Sequence, residues 1–132
     1  MLALVFPLGP EAYALPLKGV REVVAAPALT TLPTAPPAVM GLVNLRGDVL
    51  PVFDACRLVG SPFPGSVSHV MVVDTPDGPA GLAATGLPLI VDLEPALEVG
   101  RAEWTGGVHT AGGRAVVMLD VQALLEQATA EA

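Results

Sequence analysis

Among 132 residues, the side chains best suited to bond-making chemistry are one cysteine, Cys56, and two histidines, His69 and His109. A nucleophilic thiol needs a base within hydrogen-bond reach. Cys56 sits in a short helical turn after Asp54 with no motif around it, which reads as a buried structural thiol. His69 begins a strand and His109 lies late in another, so they do not form the short-spaced pair from which metal sites are built. Val72-Val73-Asp74-Thr75 offers an acid for a carboxylate dyad, but two such acids share a proton only where a small glycine follows the threonine. Pro76 stands there, and Asp77-Gly78 completes a hairpin turn. No GxGxxG or Walker pattern leads a strand into a helix. The residues assemble no enzyme, no metal site and no cofactor site.

The segment that does stand out is Gly41-Leu42-Val43-Asn44-Leu45-Arg46-Gly47-Asp48-Val49-Leu50-Pro51-Val52-Phe53-Asp54. The chain has only six lysines and arginines, and this segment fixes one of them, Arg46, beside a tight turn. Arginine presents five donors in a rigid fork, which suits backbone carbonyls or a partner carboxylate. Val20-Arg21-Glu22-Val23-Val24 likewise mixes apolar and charged residues at the start of a strand.

The elements that hold these residues follow from composition and punctuation. Fourteen glycines and fourteen prolines between apolar runs indicate short strands and tight turns. Thirteen acidic side chains give a net charge of −7, without the basic footprint that nucleic acid requires. One cysteine rules out an internal disulfide and fits a reducing cytoplasm. The charge-free stretch from Val23 to Leu45 is broken by Pro27, Pro33, Pro36 and Pro37, so no membrane span is expected. Only 14% of residues are charged, which leaves apolar surface for a partner.

Laying the second half of the chain over the first, at one uniform offset, places Gly107-Val108-His109 on Gly41-Leu42-Val43 and Ala115–Asp120 on Val49–Asp54. Val70-Met71-Val72 then lies over Leu4-Val5-Phe6 and Ala80 over Ala14, with a further slip of a single position for Ile90-Val91 over Val23-Val24. Each half reads as five strands. They are Leu2–Leu8, Ala12–Leu17, Val20–Ala25, Val39–Leu45 and Val49–Phe53, then His69–Asp74, Pro79–Thr85, Leu89–Leu93, Trp104–Thr110 and Arg114–Leu119. Five short strands avoid exposed edges by closing into a small barrel, so each half is expected to close its own. Pro51 cannot donate to a ladder, which calls for one free edge there. Thr30–Pro37 is expected to be an extended, polyproline-like connector, and Gly60–Ser68 the joint between halves. Asp120 is an N-cap for a helix that buries Val121, Leu124, Leu125 and Ala128, and Asp54 caps a shorter turn.

These blocks resemble the CheW family, the adaptors that couple chemoreceptors to the histidine kinase CheA in bacterial chemosensory arrays. LVFPLGPEAYALPLKGVREVV is similar to the family's opening strands, and GGVHTAGGRAVVMLDVQALL to its last hairpin and helix. LPTAPPAVMGLVNLRGDVLPVFDACRLVG carries the most specific signature. The resemblance implies an all-β fold of two pseudo-symmetric five-stranded SH3-like barrels packed on a shared hydrophobic seam, with a C-terminal α-helix. It implies one domain over residues 1–132, with subdomains of about 1–60 and 67–120 and a helix of about 121–130. It implies a non-catalytic, cytoplasmic adaptor whose partners are the chemoreceptor cytoplasmic tip and the CheA regulatory domain, without nucleic acid or direct membrane insertion. Val20, Glu22, Val23, Asn44 and Arg46 match the receptor-contact positions, near a groove where the barrels meet. An alternative from another class is a regulatory module that binds a small ligand in the cleft between barrels. Three features depart from the family: small residues at Gly81–Gly86, a short connector at Glu94–Glu103, and no extension before the first strand. They set the second barrel's partner surface apart from the family pattern and point to a divergent adaptor, for example for surface motility.

Overall fold

The computed structural model describes residues 1–61, 66–97 and 105–130. They form ten strands: β1 Leu2–Leu8, β2 Glu11–Pro16, β3 Val20–Ala25, β4 Val39–Leu45, β5 Asp48–Asp54, β6 His69–Thr75, β7 Gly78–Ala84, β8 Leu89–Asp92, β9 Thr105–Ala111 and β10 Arg114–Leu119. A short helix, α1 Ala55–Leu58, follows β5, and α2 Val121–Ala130 follows β10. All ten expected strands are present within a few residues of their expected bounds. Trp104, expected to open β9, lies outside the described residues, as do parts of the 60–68 joint and the 94–103 connector.

The strands make two five-stranded sheets, ordered β8-β1-β2-β10-β9 and β3-β6-β7-β5-β4. Each sheet takes strands from both halves of the sequence, which corrects the expectation that each half closes its own barrel. The repeat itself is real. Advancing every strand by five turns one sheet order into the other. Leu45 and Asp48 close the β4–β5 hairpin as Ala111 and Arg114 close β9–β10, in the register of the uniform overlay. Leu8 and Glu11 close the β1–β2 hairpin as Thr75 and Gly78 close β6–β7, a single position further along. The slip expected only at Val23-Val24 therefore runs through all of β1–β3, so Leu4 matches Met71 and Ala14 matches Gly81.

The sheets curl, but neither is a closed barrel. In the second sheet the edge strands β3 and β4 share no ladder. The chain just past β3 makes one bridge to β4, with Thr30 and Leu42 exchanging backbone bonds of 2.8 Å. In the first sheet, Leu97 N–H donates to the Val108 carbonyl at the equivalent place, at 2.7 Å. The prolines that follow Thr30 explain why the bridge goes no further. Residues 32–35 and 36–39 form two successive turns, closed by Ala35 N–H to Leu32 O and Val39 N–H to Pro36 O. Pro33 and Pro37 hold the position after each turn's first residue, where a preset φ is favoured. The connector is thus folded rather than extended.

Alternation along the strands divides the core into three. On β6, Val70 and Val72 face a cluster inside the second sheet with Val43, Leu50 and Val52, while Met71 and Val73 face the seam between sheets. On β1, Leu4, Phe6 and Leu8 point to the seam and Ala3 to the first sheet's own cluster with Ala14, Val116 and Met118. Strands buried on both faces read as continuous apolar runs, as in β6. The small residues of Gly81–Gly86 are explained by packing. β7 is an inner strand of the second sheet, and a Cβ on Gly81 would lie 2.6 Å from Val70 Cγ1 and 3.1 Å from Val52 Cγ2. Pro51 precedes Val52, where the parallel ladder to β7 begins, so its missing N–H costs nothing. Asp54 Oδ1 accepts Arg57 N–H at 3.3 Å and Asp120 Oδ1 accepts Ala123 N–H at 3.1 Å, capping both helices as expected.

Candidate partner-binding site

The β4–β5 hairpin turns on Arg46 and Gly47, with φ of 52° and 91°. Two consecutive left-handed residues define the turn that matches strand twist. The Gly47 N–H donates to Asn44 Oδ1 at 2.9 Å, so Asn44 serves the turn. At the equivalent β9–β10 turn the pair is Gly112-Gly113, with φ of 56° and 79°. An arginine therefore occupies a position where its own duplicate uses glycine, and where a side chain is disfavoured.

Arg46 Nη2 donates to Glu22 Oε2 at 2.5 Å. That ion pair spans the gap between the edge strands β3 and β4. The arginine is 73% exposed and the glutamate 26%, and the second carboxylate oxygen, Glu22 Oε1, is buried without a hydrogen-bond partner. The pseudo-equivalents of Glu22 and Arg46 are Leu89 and Gly112, so the pair belongs to one sheet alone.

A register shift between Val20 and Glu22 bulges β3 at Arg21, and a bulge re-aims side chains. Val20 packs against the seam cluster, whereas Val23 is exposed. The structure thus brings Glu22, Asn44 and Arg46 together at the hairpin, with Val20 below and Val23 on the alternate, outward side. Three further residues belong here. Arg21 Nη2 meets Asp74 Oδ1 at 2.5 Å, both side chains about half exposed. Arg21 and Asp74 are far apart in the sequence, in unrelated contexts; only the β3–β6 pairing joins them. Val49, opposite Asn44 in the ladder, is the other omission. It is 60% exposed, on the face opposite the inward-facing Leu50.

Beside β3 a cleft of about 350 Å³ opens between the sheets, lined by Leu15, Val73, Asp74, Met118, Leu119 and Asp120 among others. Its two carboxylates are already engaged, Asp74 with Arg21 and Asp120 as a helix cap. It lacks the convergent polar groups that orient a small ligand. A different surface lies at the β8 edge. Met1, Leu2, Leu87, Leu89, Ile90 and Leu97 are six of the nine large apolar side chains exposed among the described residues, and all belong to the start of β1, to β8 or to the segments flanking β8.

The groups weighed for chemistry are accounted for structurally. Cys56 is buried, and burial, followed by the Asp54 charge, pushes its thiol above the ordinary value; a reactive thiol needs the opposite shift. His109 Nδ1 lies 2.7 Å from the Glu94 carbonyl and, facing an acceptor, carries the proton. His69 Nδ1 bonds the neighbouring Ser68 hydroxyl. No group of three metal-ligating side chains occurs among the described residues, and no helix there is long and apolar enough to cross a membrane.

Two curled sheets exchanging strands about a pseudo-twofold, with a charged clasp at one end and an apolar edge at the other, define a protein built around surfaces. The profile of the CheW-like domain family matches residues 2–129, and the chain belongs to that family. It is 26% identical over 137 residues to the probable chemotaxis protein CheW of Rhizobium etli, covering 96% of this chain and 88% of that one. It is 31% identical over 134 residues to the protein FrzA of Myxococcus xanthus, covering 93% and 84%. Among solved structures, the scaffolding protein TtCheW from Thermoanaerobacter tengcongensis superposes with a TM-score of 0.81 at 26% identity, covering 95% and 92% of the two chains.

Proposed function

We propose that this chain is a cytoplasmic, non-catalytic adaptor that couples a chemoreceptor to a CheA-type histidine kinase in a chemosensory array serving chemotaxis or surface motility. The observation that carries the reading is Arg46. It is held in a left-handed conformation that its duplicate leaves to glycine, tied to Glu22 across a sheet gap, and still 73% exposed. Such an arginine is oriented and available, the condition for docking a partner with one charge-assisted contact amid apolar ones. Val20, Glu22, Val23, Asn44 and Arg46 form the receptor face in this reading. Val20 supports the strand from beneath and Asn44 shapes the turn. The apolar β8 edge, at the pseudo-equivalent place, supplies the surface for the kinase regulatory domain.

An adaptor with two faces contributes affinity between its partners, and array multivalency allows each contact to be modest. The kinase equilibrium then shifts by whatever difference in binding its states present to the assembly. The test is Arg46→Glu, titrated against a chemoreceptor cytoplasmic fragment. Binding is expected to weaken at least tenfold with an unchanged circular dichroism spectrum. Unchanged affinity in a folded variant would sink the site.

A further inference from the structure

The free edge of β8 is unlike the edges of β3, β4 and β9. Each of those three pairs with its neighbour through a register shift, the kind of irregularity that ends pairing at an edge. β8 pairs with β1 from Leu89 to Asp92 without one, and its residues, Leu-Ile-Val-Asp, include no lysine and no proline. The direction of its free groups follows from the ladder. Met1 and Leu93 exchange both backbone bonds, at 3.1 and 2.7 Å. Alternation then makes Ala3–Val91 and Val5–Leu89 the next bonded pairs. The N–H and C=O groups of Ile90 and Asp92 therefore point away from β1, and among the described residues no backbone bond reaches them. Leu89 and Ile90 lie on opposite faces of the strand and both are exposed, so neither face is covered.

We propose that β8 pairs antiparallel with β8 of a second copy of this chain, about a twofold axis at Val91, so that the first sheets of the two copies become one continuous sheet. A second copy is the occupant because the edge complements itself in a single register. With Val91 opposite Val91, Ile90 and Asp92 of one copy exchange bonds with Asp92 and Ile90 of the other, and every outward N–H and C=O of β8 is satisfied. Moving the axis to Ile90 sets Asp92 against Pro88, which has no N–H to give. Moving it to Asp92 sets two carboxylates directly opposite each other, a destabilising pair. In the favoured register each Asp92 lies beside Ile90 of the second copy, with its carboxylate held by the Met1 ammonium at 2.6 Å. The exposed side chains of Leu2, Leu87 and Leu89 flank the join. The pairing needs only β8 and stands apart from the adaptor reading. Within that reading, a paired copy has its kinase edge closed and its Arg46 face open.

Sedimentation equilibrium over a concentration series tests the pairing. An interface this small lies at the weak, transient end, so a dimer is expected with a dissociation constant of about 10–100 μM. Ile90→Pro deletes an N–H that faces away from β1, a place where an edge strand tolerates proline. Leu89→Lys leaves the backbone alone and supplies the charge that natural edges use. Each variant is expected to keep the native circular dichroism spectrum and to weaken the dimer at least tenfold. Val91→Cys, on the axis, is expected to give a disulfide-linked dimer on mild oxidation, because opposed non-bonded pairs stand about 4.5 Å apart. Val49→Cys, on the other sheet, is expected to stay unlinked. A chain that is monomeric throughout the series overturns the proposal and leaves the adaptor reading untouched. A dimer that Ile90→Pro and Leu89→Lys both leave intact, or that links through Val49→Cys and not through Val91→Cys, also overturns it.

Discussion

Replacing Arg46 with glycine separates what the arginine does for the fold from what it does for a partner. The substitution removes the ion pair to Glu22. Exposed pairs contribute about 0.2–1 kcal/mol, and the largely exposed arginine keeps this one within that range. It also relieves a side chain held at φ 52°, a conformation that costs a non-glycine residue roughly 1 kcal/mol. The two effects nearly cancel, so Arg46→Gly should unfold in urea within about 0.5 kcal/mol of the parent. Arg46→Ala loses the pair without relieving the backbone and should be less stable by about 0.2–1 kcal/mol. The duplicate provides the control. Gly112→Arg installs a side chain at φ 56° with Leu89 where Glu22 would stand, and should cost about 1 kcal/mol. Receptor affinity should move differently, because Arg46→Gly keeps the turn and deletes the fork. A tenfold loss there corresponds to about 1.4 kcal/mol of binding. A loss of more than about 2 kcal/mol of folding stability in Arg46→Gly would refute the reasoning, since the clasp would then be structural. So would a folded glycine variant that binds receptor as well as the parent.

Gly81→Ala drives a methyl between Val70 and Val52, and overpacking of this kind should cost about 1–3 kcal/mol in urea unfolding. Asp120→Ala removes the α2 cap and should lower stability by about 1 kcal/mol, read as a reduced midpoint with an unchanged slope. Burial and then the hydrogen bond to Glu11 hold the Tyr13 phenol well above its ordinary value, and burial does the same for the Cys56 thiol. The folded chain keeps both protons more tightly than the unfolded one. Their contribution is therefore complete below about pH 8.5, the ordinary thiol value, and declines as pH rises past that and then past the ordinary phenol value near 10. Urea midpoints taken from pH 8 to 11 should fall, and Tyr13→Phe should flatten the upper part of that fall; a rise over this range would contradict the assignment.

Most of the fold could be read from the chain because its signals are local. Turn residues at Gly9-Pro10, Arg46-Gly47 and Gly112-Gly113 separate apolar runs of the right length, and Asp54 and Asp120 cap helices through contacts three residues away. What could not be read is non-local. The uniform overlay of the two halves correctly related β4–β5 to β9–β10. It could not tell that β8, and not β3, would lie beside β1, since apolar strands carry no label for their partners. The site divides the same way. Arg46 and Asn44 announced themselves through the hairpin motif, and Glu22 through its charge in an apolar strand. The Arg21–Asp74 pair depends on β3–β6 register, which no local signal sets.

The exchange of strands between halves also bears on why this chain suits two partners. Had each half closed on itself, two units of about sixty residues would meet across one interface, and each would be marginal alone. Here β1 and β2 complete one sheet with β8, β9 and β10, and β6 and β7 complete the other with β3, β4 and β5. The chain crosses the seam repeatedly, and the seam holds the largest core cluster, including Phe6, Leu15, Met71, Leu82 and Leu124. Stability therefore resides between the sheets, away from their outer ends. Those ends, related by the pseudo-twofold, share a backbone frame down to the bridging bonds at Thr30 and Leu97. They are free to diverge in side chains, one to an arginine–glutamate clasp and the other to exposed leucine and isoleucine. The two frames are equivalent, and at Glu22 against Leu89 and Arg46 against Gly112 they present different side chains to solvent, a charged pair at one end and an apolar edge at the other.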